Sequence, residues 1–498
     1  MHFRVLAAAS LTLGALISGP AFAQKPSTGA KKASEIITAA GLKDYLSFIA
    51  SDALMGRDTP SPGLDTAAQF IGFFLKRWGF LPGGGDGTYF QKIPLTRTSY
   101  DLSKSNISVG GAALTPSKDF ALSAGSGFGS TTGAAMLLRV STALPTDTDL
   151  TGKILVVLGQ RREFDAMAYA KKNGATGLVR LAQGAQAQWE QFAGFRQRGG
   201  YRVGTGETPA GLPSIDLSPD AGTALLEGQP TAMDVPQPMT KTVSFTVEGR
   251  VENINTQNVV AIWPGSDAKL KDEYVAMGAH YDHVGANPNM PGDNIFNGAD
   301  DDGSGTTALI GICEALARGR VKTKRSLIIV WHCGEEKGLW GSEYFTNKPT
   351  VPIDKITAQL NIDMIGRSKP AGDEDPRDAT LSGPEQIYVI GSRMLSTDLG
   401  NIVDGVNAST YKLTYDTRYD DPKDPNRFYY RSDHYNYARK GIPITFWFDG
   451  VHVDYHRPGD EVSKIDFIKM EKITRTVFLT AATLADLPNR PKVDKPVQ

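Results

Sequence analysis

The sequence predicts an α/β protein: a mostly parallel mixed sheet sandwiched by helices, with a smaller β-rich module inserted into the chain before it. Three observations predict it. From Asn255 onward, short apolar runs alternate with amphipathic helical patterns. Between 106 and 244 the texture shifts to Gly, Ser, Thr and Ala, with short strand-like runs, turns and no histidine. Acids and histidines recur directly after the apolar runs of the later region, at strand carboxyl ends, where such sheets bind ligands.

Taken in order, residues 1–23 read as a secretory leader. Arg4 opens it, residues 5–17 are mostly apolar and small, and "AFA" at 21–23 fits a cleavage site, so the mature chain starts near Gln24. The implied location is exported, either a bacterial-type periplasm or the medium. The apolar run is short for a membrane span, and no cysteine follows the cleavage site to take a lipid, so no membrane anchor is expected. Residues 24–105 form an N-terminal helical part of the main domain. There "ASEIITAAGLKDYLSFIAS" and "DTAAQFIGFFLKRWGF" have helical periodicity, the second stopped by "LPGGGDG", and strand-like "TYFQKIPL" follows.

The inserted module spans 106–244. Its centre, "LTGKILVVLGQRREFDAMAYAKKNGATGLVRL", reads as strand 154–158, helix 163–173, a glycine stop and strand 177–181. This stretch resembles the protease-associated domain, a small β-rich module. The main domain resumes over 245–490. "QNVVAIWPGS" and "EYVAMGAHYDHVG" read as strands joined by a polar hairpin. Then come helix 304–319, strand 326–331, helix 338–347, strands 356–362 and 387–391, helix 396–406, strand 442–448 and a last helix over about 464–487. "TRYDDPKDPNRFYYR" reads as a long ordered loop.

The formal net charge is −1, and no basic stripe interrupts the sequence, so nothing indicates a nucleic-acid or membrane partner. The two cysteines, Cys313 and Cys333, lie in apolar context and are expected as buried thiols. Of seven histidines, His2 is in the leader and the others fall between 280 and 456. Imidazole chemistry therefore belongs to that window.

Within it, five motifs each end a predicted strand or follow it: "GAHYDH" with His280 and Asp282, "NGADDDGSG" with Asp301, "GEEKG" with Glu335 and Glu336, "NIDMIG" with Asp363, and "DYHRPGDE" with Tyr455 and His456. Any one alone is a common turn or helix start. Adjacent glutamates at the end of a buried strand repel and lose hydration, and a dication offsets both costs. Mixed imidazole and carboxylate donors suit zinc, and a shared carboxylate allows two ions about 3.5–4 Å apart.

The ordered set H-x-D, A-D-D-x-x-S-G, E-E-x-G-L-x-G-S, N-x-D-M and Y-H-x-x-x-D resembles the co-catalytic di-zinc aminopeptidases of the aminopeptidase Y and bacterial leucyl aminopeptidase type, over roughly 255–485. Glutamate carboxypeptidase II and the transferrin receptor ectodomain belong to the same superfamily. The resemblance implies two Zn²⁺ ions and a zinc-exopeptidase fold. It makes Asp301 the bridging ligand, His280 and Asp363 the ligands completing one zinc, and Glu336 and His456 those completing the other. Glu335 would be the general base, Asp282 would accept the remaining N–H of His280, and Tyr455 would stabilise the oxyanion. It also implies a cis bond at Asp301–Asp302. His283 is an alternative ligand, but the family pattern uses the first histidine. His332 reads as a core residue, His452 as structural or at the mouth, and Asp433 or His434 as near substrate.

The function implied is hydrolysis of N-terminal residues from peptides by a metal-activated water. A carboxypeptidase or dipeptidase on the same scaffold is the alternative, with Arg418, Arg427 and Arg431 available for a substrate carboxylate or for loop salt bridges. Glutaminyl cyclases share the fold but typically lack the inserted domain. A non-catalytic binding ectodomain would be expected to have lost ligands, and none is missing here.

Overall fold

Burial at nearly every position of Tyr274–His280 and Ser326–His332 marks strands covered on both faces. In the computed structural model, residues 25–497 are described apart from 124, 141–142, 162, 190–198, 207–210, 230–233 and 422. The leader lies outside the described residues. The chain divides into two compact units, one running to Lys92 and resuming at Thr256, the other spanning Ile93–Asn255. The boundaries expected at 106 and 244 therefore move outward. The change in composition falls inside the unit because Phe90–Tyr100 and Gly249–Trp263 are each one continuous strand running past it.

The smaller unit has an eight-stranded sheet. Gly129–Arg139, Ile154–Leu158, Gly177–Leu181 and Ser214–Leu217 lie side by side in parallel. Leu137, Val156, Val179, Ile215 and Phe245 share one of its cores. The helix expected over 163–173 is shorter, Ala166–Lys172, because the Asp165 carboxylate accepts the Met167 and Ala168 N–H groups and starts it later.

The larger unit is built on β1 (Gly249–Trp263, from Thr256 onward), β2 (Tyr274–His280), β3 (Ser326–His332), β4 (Ile356–Ile362), β5 (Gln386–Ile390), β6 (Thr414–Asp416) and β7 (Ile444–Phe448). Their order is β6-β5-β7-β4-β2-β3-β1. The block β7-β4-β2-β3 is parallel, whereas β1 runs antiparallel to β3 and β5 antiparallel to β7. The expected hairpin between β1 and β2 does not form. β3 inserts between them, since parallel pairing with β3 completes the burial of β2. β6 was not anticipated; three residues are too short to carry a period.

Eight helices are described in this unit: α1 (Thr28–Ser34), α2 (Ala39–Ile49), α3 (Pro62–Arg77), α4 (Gly303–Arg318), α5 (Trp340–Asn347), α6 (Thr397–Ala408), α7 (His434–Ala438) and α8 (Phe467–Asp486). The first expected helix is split into α1 and α2 because Thr38 caps a new start, accepting the Gly41 N–H at 3.1 Å. α4 and α8 pack on each other and on β2 and β4, while α5 and α7 pair over β3, β4 and β7. Both cysteines are buried and free. Among the described residues no helix is long and apolar enough to cross a membrane.

The loop after β6 is tied to the end of β5, where the Gly391 N–H donates to Asp420 at 2.6 Å. Burial pushes the Asp420 carboxyl up to about 6, with that bond, Lys495 and Arg393 only partly opposing it. A raised acid binds its proton more tightly when folded, so its contribution to stability falls as pH rises from about 4 to about 6 and is level above that. Asp420→Asn should flatten that pH dependence and stabilise the protein at pH 7 by up to about 3 kcal/mol. Urea melts at pH 4.5 and 7 check this; a variant less stable at pH 7, with the slope unchanged, would refute it.

Candidate metal centre

The polar residues after β2, β3, β4 and β7 meet at one end of the sheet, and buried hydrogen bonds hold their loops together. Asp302, which caps α4, accepts the His280 N–H at 3.1 Å, the Gly305 N–H at 2.8 Å and the Met364 N–H at 3.2 Å. One carboxylate thus joins the ends of β2 and β4 to the start of α4. A Cβ on Gly305 would stand 2.4 Å from the Ile362 carbonyl oxygen, so only glycine allows that approach. Asp460 accepts the Asp300 and Asp301 N–H groups, and the Asp301–Asp302 peptide is cis.

Asp301 lies at the centre. Its Oδ1 is 3.2 Å from His280 Nε2, which is 3.6 Å from Asp363 Oδ1. Its Oδ2 is 3.1 Å from His456 Nε2, which is also 3.1 Å from Glu336 Oε2. Two donor sets result, His280–Asp301–Asp363 and His283–Asp301–Glu336–His456, each with its ligand atoms within 4.8 Å of one another. All five expected ligands are therefore brought together, and His283 joins them.

Charge and burial fit a cation. Burial opposes ionisation of Asp301, yet His280, His283 and His456 hold it well below the usual carboxylate range. Burial likewise disfavours the charged His456 ring, but Asp301 and Glu336 lift it to about 10. Asp301 Oδ2, Glu336 Oε1 and His456 Nε2 are buried without a hydrogen-bond partner although they face one another. A shared dication satisfies all three, and mixed nitrogen and oxygen donors suit zinc.

Glu335 belongs to neither donor set. Its carboxylate lines the adjoining cleft, 4.0 Å from His280 Nε2. Burial pushes it well above the usual range, with His280 opposing and Asp363, Glu336 and Asp433 adding to the rise. Tyr455 lines the same cleft and stacks on His456 with centroids 3.9 Å apart. Burial first, then Asp301, Glu336 and Glu335, raise its phenol, which stays protonated and able to donate.

Two expectations need correcting. The His280 Nδ1 bonds to the Asp282 main-chain carbonyl at 3.1 Å, while the Asp282 carboxylate lies 3.6 Å off and instead accepts the Glu335 N–H. The side chain turns to the backbone of the next strand's loop, so it positions Glu335. Asp433 and His434 do not line the cleft. Asp433 lies 3.3 Å from His332, and His434 bonds to the Tyr429 carbonyl, with burial lowering its pKa to about 4. Their neighbours Arg431 and Ser432 line it instead, and Ser432 donates to Asp363 at 2.6 Å. His332 is a core residue bonded to Tyr437, and His452 is buried 3.4 Å from Asp300. Arg418 pairs with Asp416.

Sequence reasoning missed Arg57. Its fully buried guanidinium donates to the carbonyls of Ile49, Tyr281, Asn297 and Gly298, clamping the two loops that carry His283 and Asp301. No local pattern around Arg57 distinguishes it from a surface arginine.

Residues 258–481 match the model of peptidase family M28. The match lies wholly within the larger unit. Among curated relatives, leucine aminopeptidase 2 of Trichophyton rubrum is 26% identical over 284 residues, covering 51% of this chain and 50% of that protein. A probable leucine aminopeptidase 2 of Aspergillus fumigatus is 28% identical over 365 residues, covering 68% and 63%. The chain thus spans about half the length of the first of these relatives. In fold, the chain is similar to an aminopeptidase from Aneurinibacillus sp. strain AM-1, with TM-score 0.58, 18% identity and coverage of 94% and 98%. It is also similar to a zinc aminopeptidase from Bacillus subtilis, with TM-score 0.52, 16% identity and coverage of 89% and 94%.

Proposed function

We propose that this protein is an exported, zinc-dependent aminopeptidase that uses two ions and removes N-terminal residues from peptides. The observation that carries the reading is Glu335: a carboxylate facing the cleft, beside both donor sets and in neither. His280, Asp301 and Asp363 would hold one ion, and Asp301, Glu336 and His456 the other. Zinc bound there supplies Lewis acidity, which acidifies water and polarises a scissile carbonyl. Glu335 takes the proton from the attacking water and delivers it to the departing amine, a role suited to its raised pKa. Asp282 orients Glu335 through its main-chain N–H. The Tyr455 hydroxyl donates to the developing oxyanion.

The cleft argues for the amino end. Met364, Phe428, Phe446, Phe448 and Val451 offer an apolar wall beside the two donor sets, suited to an apolar N-terminal side chain. The named relatives are leucine aminopeptidases, in keeping with that wall. Among the described residues, Arg431 is the one lysine or arginine lining the cleft, and it rests on the Phe428 ring at 5.0 Å. Residues 1–23 support export, and the module within Ile93–Asn255 is read as a protease-associated domain that supplies no catalytic group.

A substrate panel tests the reading. Leucyl and phenylalanyl anilides with free amines should be cleaved, and their N-acetyl forms should not. Release of C-terminal residues from N-blocked peptides would instead establish the carboxypeptidase alternative.

A further inference from the structure

We infer that His283 is a direct ligand of the ion held by Asp301, Glu336 and His456, so that this position has four protein donors and the His280–Asp301–Asp363 position has three. The inference rests on the metal-dependent reading and concerns a residue that the family resemblance leaves outside the ligand set.

His283 is fully buried, and neither of its ring nitrogens has a hydrogen-bond partner among the described residues. A buried imidazole in that state loses its hydration without return. Its Nδ1 lies 2.8 Å from Glu336 Oε1, close enough for a hydrogen bond, yet the two are not aligned as one and both atoms remain unsatisfied. The same Nδ1 is 3.7 Å from Asp301 Oδ2, itself unsatisfied, and the fourth atom facing them, His456 Nε2, is unsatisfied too. Four side chains from four chain segments, each with an unpaired atom, offer ligand atoms within 4.8 Å of one another. One cation accounts for all of them.

The ring is held in place for this task. Gly298, in the left-handed region at φ 55, lies against it so closely that a Cβ would stand 2.5 Å from His283 Cγ. The His283 N–H donates to the Arg57 carbonyl at 3.2 Å, and its ring meets that of His456 edge to face, with centroids 5.5 Å apart. A ring fixed on its backbone and both sides is pre-organised, so little ordering entropy opposes binding.

Two imidazoles and two carboxylates complete a four-coordinate zinc set, the pattern of a closed site, whereas three protein donors leave a position for water or substrate. The three-donor position is the one beside Glu335, through His280. The ions therefore divide their work. The four-donor ion is retained and anchors the loops, and the three-donor ion exchanges more readily.

The test uses the mature full-length chain, stripped of metal and titrated with zinc against a chromophoric chelator, alongside zinc X-ray absorption on the loaded protein. Wild type should bind two ions in unequal steps, with three imidazoles shared between them. In His283→Asn the tighter step should weaken by more than about 100-fold, beyond the 10–100-fold that loss of a merely supporting residue costs, and the imidazole count should fall to two. The wild-type count decides the matter even if the variant folds poorly. Two bound zincs with only two imidazoles, or identical titrations for wild type and variant, would overturn the role of His283 alone. A wild type that binds no zinc would instead overturn the metal-dependent reading beneath it.

Discussion

Glu335→Gln is expected to lower kcat by ~10²–10⁴-fold, the range for losing acid–base catalysis, while the bound zinc stays near wild-type content. The two glutamates are adjacent in sequence and part ways in space. Glu336 faces His283 and His456, which pull its pKa down against burial and against Asp301. Glu335 turns to the cleft, and burial pushes its pKa up. Gln keeps the shape of Glu335 and removes only its capacity to accept a proton. At Glu336 the same change replaces an anionic donor with a neutral amide, so zinc at that position should weaken and added zinc should recover part of the activity. Metal analysis of both variants beside steady-state kinetics distinguishes them. If Glu335→Gln lost metal and Glu336→Gln kept it, the two roles would be exchanged, and normal hydrolysis by both would remove the catalytic reading.

The positions of these groups are legible in the sequence where an apolar run ends in acids or histidines. Leu327–Trp331 is apolar throughout, so its end is marked by the first residues that break the run, and the acidic pair stands just beyond. The same contrast marks His280, whereas Asp363 follows a strand that itself holds Thr357, Gln359 and Asn361, and is legible through its motif rather than through the contrast. Sheet order is less legible, because it depends on which strand completes another's burial. β1 and β2 are neighbours in sequence, yet β3 lies between them. The supporting groups are the least legible. Arg57 acts on carbonyls more than two hundred residues away in sequence, such as that of Asn297. The place of His283 is set by the bare backbone of Gly298. Asp282 has the expected neighbour but bonds through a different atom, a rotamer choice that spacing does not encode.

Asp301→Asn is expected to remove zinc from both positions at once. The two oxygens of this carboxylate face different histidines, Oδ1 toward His280 at 3.2 Å and Oδ2 toward His456 at 3.1 Å. An amide keeps one oxygen, neutral and weaker as a donor, and sets an NH₂ group against the other ring, where it cannot bind metal. The loss of charge also leaves each ion facing fewer anions in a buried site, where the uncompensated cost is large. Neither donor set then retains its full complement, whereas a change at Asp363 or Glu336 touches only one. The cleanest readout is the gain in melting temperature on adding zinc, compared with the same protein stripped of metal, because differences between the apo proteins then cancel. A ligand at 1,000 times its Kd stabilises the folded state by about 4 kcal/mol. That gain should be nearly absent in Asp301→Asn, halved or better preserved in Asp363→Asn, and full in Glu335→Gln. Retention of two zincs per chain by Asp301→Asn after dialysis would show that no carboxylate is shared, and the two donor sets would then have to be drawn without Asp301 in common.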